Sequence, residues 1–132
     1  MISSAMNNVR LESLIRDCAE VREGRPGFWN VDYRDRLVMV VTDESHNRMR
    51  IITPVVEIAE VSEEVWMLAL RANFDRALDA RYAVNGEYLW SAFIHPLSQL
   101  TDSQFQEALD QVVTLADNFG TSFSSSDLVF GG

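Results

Sequence analysis

Acid–base or nucleophilic chemistry needs a histidine, a cysteine or a carboxylate held against a partner, and few positions in this chain offer one. The two histidines are His46 and His95. His46 falls in the polar stretch 43–47, whose composition predicts a hairpin tip with a solvated imidazole. His95 stands just before Pro96 at the end of an apolar run, which predicts a structural or exposed role. Neither belongs to the two-histidine helix pattern of metalloproteases. Cys18 is the only cysteine, so no intramolecular disulfide forms. Its place on an apolar helix stripe predicts a small core hydrophobe rather than a reactive thiol. One cysteine and two distant histidines do not make a zinc site. The acidic pairs Asp43-Glu44 and Glu63-Glu64 lack the alternating spacing of a calcium loop. The six glycines are scattered, and none builds a phosphate-cradling loop between a strand and a helix. The sequence thus predicts no catalytic residue, no metal ligand and no cofactor, and the chain reads as a non-enzyme.

Composition limits the partners. Twenty acidic residues against eleven basic ones give a net charge of −9. Such a surface repels phosphate backbones and anionic lipid heads, which argues against nucleic-acid and membrane binding. All eleven basic residues are arginine, a compositional bias that still suits fixed ion pairs. The 132 residues suit one domain with a sizeable core. The first ten residues contain no apolar stretch of signal-peptide type, and the longest aliphatic run, 37–41, is far too short to span a bilayer. A cytoplasmic location is expected.

The elements that would position these residues follow from periodicity. Leu11, Leu14, Ile15, Cys18 and Val21 recur at helical spacing and predict a first helix over 9–22, stopped by Gly24, Pro26 and Gly27. Strands are expected over 28–33, 36–42 and 48–58, linked by short polar hairpins, with Pro54 marking an edge or a bulge. On the first strand, Trp29, Val31 and Tyr33 are expected to face the core. Ser62 reads as the N-cap of a second helix reaching Ala80, with Val61 and Trp66 at staple positions. Asn85-Gly86 predicts a type I′ hairpin between strands at 81–84 and 87–95. Across it, Arg81, Ala83, Tyr88 and Trp90 share one face and Tyr82, Val84, Leu89 and Phe93 the other; the pattern leaves open which set is covered. Thr101 and Gln104 form a capping box for a third helix whose apolar face runs from Phe105 to Phe119, ending at Gly120. The order αβββαββα indicates an α+β fold, one antiparallel sheet packed with helices. Residues 1–121 form the domain, and the serine- and glycine-rich 122–132 are expected to be a loose tail.

This element order resembles the type III secretion chaperone-like fold. Within it, the stretch 68–119 resembles the YbjN family, through Leu70, Ala72, Asn73, Phe74 and Ala77, then Ala80-Arg81-Tyr82-Ala83. Trp90, Pro96-Leu97, Leu100-Thr101, Phe105, Ala108-Leu109 and Phe119-Gly120 complete it. The resemblance implies a non-catalytic protein-binding or regulatory domain, often dimeric, in which the second helix lies at the dimer interface and client segments wrap the sheet.

Two surfaces are singled out. The apolar face of the second helix is too broad for one sheet contact, so Trp66, Leu70 and Phe74 are candidates for a homodimer interface; coverage by the third helix is the competing reading. Tyr88 and Trp90 are candidates for contact with a protein or peptide client, because aromatics are enriched in binding surfaces. The alternative function is small-molecule sensing through a pocket between sheet and helix.

Overall fold

The computed structural model describes residues 5–125. Helix α1 (Asn8–Cys18) opens on an Asn7 N-cap whose side chain accepts from the Arg10 N–H. Strands β1 (Glu20–Arg25), β2 (Phe28–Tyr33), β3 (Arg36–Asp43) and β4 (Arg48–Glu57) follow, then a single 3₁₀ turn (Ile58–Glu60). Helix α2 (Glu63–Asp75), strands β5 (Arg81–Asn85) and β6 (Tyr88–His95) and helix α3 (Asp102–Asp117) complete the chain. The sheet is antiparallel throughout, in the order β1-β2-β3-β4-β6-β5.

The α+β class and the single antiparallel sheet are as the sequence predicts, with one strand more. The expected first helix stops at Cys18, because the stretch from Glu20 pairs with β2 instead. Val21 sits opposite Val31, and Gly24 lies opposite Trp29. A Cβ on Gly24 would come within 2.8 Å of the Trp29 indole, so the absent side chain is what lets this strand close over a fully buried tryptophan. Pro26 and Gly27 form the turn to β2, with Gly27 at φ 96° as a type II turn requires of its third residue.

The hairpin chemistry is distributed differently from the expectation at Asn85-Gly86. Asn85 pairs with Tyr88, so Gly86 and Glu87 are the loop, and Gly86 alone takes positive φ (62°). Glycine at the first central position is the type II′ pattern. The type I′ signature occurs instead between β2 and β3, where Arg34 (φ 50°) and Asp35 (φ 64°) both adopt it. Contacts from α3 hold this tip: Arg34 donates to Thr114 Oγ1 at 3.1 Å and lies 3.5 Å from Asp110.

Helices α1 and α3 cover one face of the sheet. The Trp29 Nε1–H donates to Glu12, the Tyr33 hydroxyl to Asp110, the Ser91 hydroxyl to the Val112 carbonyl and the Tyr82 hydroxyl to the Leu115 carbonyl. Trp29 and Val31 are fully buried there and Tyr33 partly so, on the side expected from the sequence. The capping box of α3 forms as predicted. Helix α2 ends at Asp75, short of Ala80. Ala77 and Ala80 are drawn into the core, Leu78 turns left-handed (φ 57°), and Gln111 Oε1 accepts from the N–H groups of Asp79 and Ala80. After α3, Gly120 takes φ 87°, and Phe123, Ser124 and Ser125 fold back into buried positions. The expectation of a loose segment from residue 122 does not hold for these three. The rest of that expected tail, 126–132, lies outside the described residues. No described helix is long and apolar enough to cross a membrane.

Candidate protein-binding surfaces

The residues with chemical potential come first. At the β3–β4 turn, Asp43, Ser45 and His46 converge. The Ser45 hydroxyl donates to Asp43 Oδ1 at 2.7 Å, and His46 Nδ1 lies 2.8 Å from Asp43 Oδ2. In a hydrolytic triad the imidazole bridges hydroxyl and carboxylate through opposite nitrogens. Here the same Nδ1 faces both Ser45, at 3.2 Å, and Asp43, while the hydroxyl bonds the carboxylate directly. The arrangement is a turn cap, and the hydrogen bonds from Ser45 and then His46 hold the Asp43 carboxyl down at about 2. His95 points its Nδ1 at the Pro96 carbonyl, 2.8 Å away, and stacks on Phe93. Cys18 is half-buried, and burial followed by the charge of Asp17 pushes its thiol upward, which keeps it protonated and a poor nucleophile. Among the described residues no group of three or more His, Cys, Asp or Glu side chains is placed to hold a metal.

A cavity of about 250 Å³ lies beside the end of β6 and against α3. It is lined by Asp79, Arg81, His95, Gln104, Glu107 and Gln111, among others. Small-molecule sites are ordinarily larger, from about 300 Å³, and mostly apolar.

The apolar surfaces are more extensive. Helix α2 meets the sheet at its β5 edge. Its Asn73 side chain reaches the outer edge of β5, where Nδ2 donates to the Tyr82 carbonyl at 3.0 Å and Oδ1 accepts from the Tyr82 N–H at 2.8 Å. One amide thereby replaces the neighbouring strand that β5 lacks at that point. Only Ala69 and Ala72 of α2 are buried; Val65 and Trp66 are partly buried against the core. Leu68 is exposed, as are Met67, Leu70 and Phe74, the last at 94%. Helix α3 therefore does not cover Leu70 and Phe74. Of the three candidate residues, these two are exposed, while Trp66 is shared with the core.

The second surface is the sheet face opposite α1 and α3. Cross-strand register places Phe28, Val41, Arg50 and Ile94 in one row. Asn30, Met39, Ile52, Ala92 and Arg81 form the next. Pro54, Trp90 and Ala83 align in a third, near Leu37. Leu37, Arg50, Arg81 and Ile94 are exposed, and only Ala92 of these side chains is buried. The register also answers which β5–β6 set is covered: Tyr82 and Leu89 are buried under α3, so Tyr88 and Trp90 belong to the open face. Their rings meet edge to face at 6.3 Å, and the Trp90 N–H donates to the Asn85 carbonyl. Sequence reasoning named these two aromatics without deciding which face they occupy, and it missed the rest of the face. Its signal was the odd-numbered apolar set Leu37, Met39 and Val41 running beside the core set Val38 and Val40.

Sequence comparison gives no match to any family model and none among curated proteins. Solved structures do match. A chain of the HopA1-SchA chaperone-effector complex superimposes with a TM-score of 0.61 at 11% identity, over 83% of this chain and 88% of that one. A chain of the ExsC-ExsE complex gives 0.61 at 14%, over 85% and 92%. The Yersinia pestis type III secretion chaperone SycH, in complex with a stable fragment of YscM2, provides a third match at 0.63 and 14%, over 86% and 98%. The fold is that of the type III secretion chaperones. At these identities the likeness concerns architecture. Among the described residues, nothing covers two apolar surfaces, the outer side of α2 and the open face of the sheet.

Proposed function

We propose that this chain is a non-catalytic protein-binding module, chaperone-like or regulatory, that pairs through α2 and holds a protein or peptide client on the open sheet face. The observation that carries this reading is the breadth of exposed apolar surface on two separate elements of one small domain, since monomeric proteins rarely expose large contiguous apolar patches. Its architecture supports the reading, because the matched structures are described as chaperone–effector and chaperone–fragment complexes. Leu70 and Phe74 form the centre of the proposed homodimer contact, with Trp66 at its inner margin. Tyr88 and Trp90 take part in client contact. A YbjN-like regulatory role is the finer form of the proposal, resting on the sequence resemblance over 68–119.

Phe74→Asp tests the pairing cleanly, because an exposed side chain can be changed with little effect on the fold. Light scattering is expected to show a dimer for the parent chain and a folded monomer for the variant, whose melting temperature no longer depends on protein concentration. Trp66→Asp is a less discriminating probe, since Trp66 is packed partly on the core. A parent chain that scatters as a monomer, or a Phe74→Asp dimer, removes this interface. Small-molecule sensing is the second reading, attached to the cavity at Asp79, Arg81 and His95; it requires a metabolite that raises the melting temperature, an effect lost in Arg81→Ala.

A further inference from the structure

We infer that the open sheet face selects client segments that are apolar but carry carboxylates, and that Arg50 and Arg81 read that charge. This deepens the reading of the face as a client surface and rests on it. Seven of the eleven arginines form ion pairs with this chain's own carboxylates. Arg50 and Arg81 are among the four that pair with no carboxylate of the described residues, in a protein with twenty acidic side chains to choose from. Both are exposed: Arg50 aligns with Val41 and Ile94 on the open face, and Arg81 aligns with Ala92 at its β5 edge, where it also borders the cavity beside α3. Arg81 bonds the Leu78 and Ala80 carbonyls through Nη1, and its other N–H groups meet no acceptor among the described residues. A guanidinium on an apolar platform is only partly hydrated, so an incoming carboxylate meets a fork of donors in a medium where charge-assisted hydrogen bonds are strong. The surrounding protein, at −9, repels acidic chains elsewhere, so the match is local to this face.

The register sets a spacing. Strands β4 and β5 flank β6, so Arg50 and Arg81 stand roughly 10 Å apart across the sheet and roughly 7 Å out of step along it. That separation, roughly 12 Å, is covered by about four residues of extended chain. Residues i and i+4 of an extended segment also project to the same side. The fitting client is therefore an extended segment with apolar residues between two carboxylates four positions apart.

The test uses the full chain to select from a displayed library of random dodecapeptides. Enrichment of apolar sequences bearing Asp or Glu, with the four-residue spacing favoured, is expected. Arg50→Gln should weaken the best selected peptide by about tenfold in Kd with unchanged melting temperature, and Arg81→Gln by a similar factor. Enriched peptides that are apolar without acids, or basic, or whose binding ignores both substitutions, overturn the charge selection while leaving the face as a client surface. Absence of enrichment by the parent chain overturns the client reading of the face as well. Self-association of the parent that Arg50→Gln abolishes would overturn the proposal too, making the face an interface between copies.

Discussion

Tyr33 shows how a single side chain joins the layers. Its ring packs against the core from β2, and its hydroxyl donates to Asp110 of α3 at 2.5 Å. Burial, and secondly that hydrogen bond to a carboxylate, push the phenol up to about 12 from the usual 10.0. A tyrosine whose folded value is raised favours the folded state while it stays protonated. Its contribution is therefore complete below pH 10 and is lost as pH rises toward 12. Tyr82, buried under α3, is shifted in the same direction by desolvation and adds to the effect. Circular-dichroism melts at about pH 9 and about pH 11.5 are expected to show a falling melting temperature across that window. Tyr33→Phe should flatten part of the fall while costing about 1 kcal/mol at neutral pH through the lost hydrogen bond. At the same scale, the chemistry read from residue types alone was of limited use. Asp43, Ser45 and His46 have the types of a triad, and only their distances show a turn cap.

Among the elements, β1 is the instructive case. Residues 19–22 satisfy helical and strand periodicities equally well, since Val21 lies three residues from Cys18 and also pairs with Val31. The sequence could not decide between them, because the deciding partner is a strand and a buried indole supplied by β2. Gly24 is therefore a packing position rather than a helix stop. Gly24→Ala places a methyl 2.8 Å from the Trp29 ring, which is fully enclosed and has nowhere to move. Urea unfolding should register a loss of about 1–3 kcal/mol. The early end of α2 has a similar origin, since the Gln111 side chain that captures the Asp79 and Ala80 N–H groups comes from another helix. Elements governed by local signals were legible in full: the capped start of α3, the extents of β2 and β6 to within a residue, and the Ser62 cap of α2. Of the candidate surfaces, the aromatic members were visible, whereas Arg50 and Arg81 look like ordinary solvated charges until cross-strand register sets them on one apolar face.

Across the whole molecule, the chain beyond α3 closes the structure at the end where α2 stops. Phe123 is buried against the Tyr82 and Phe119 rings, with centroids 6.2 and 5.5 Å away, and Ser125 N–H donates to the Arg76 carbonyl. Phe123 holds this place at φ 53°, a left-handed conformation that a bulky residue adopts only when its surroundings impose it. Phe123→Ala should cost about 3 kcal/mol in chemical denaturation, the amount expected for emptying an aromatic core site. The Asn73 amide has a different consequence. Because it grips both main-chain groups of Tyr82, α2 is pinned to the sheet edge as an axle is pinned to a frame. Any object seated on Leu70 and Phe74 is thereby given a set bearing relative to β5 and to the arginines beside it. Slack at Asn73 would leave each of the two proposed surfaces in place and alter the angle between them.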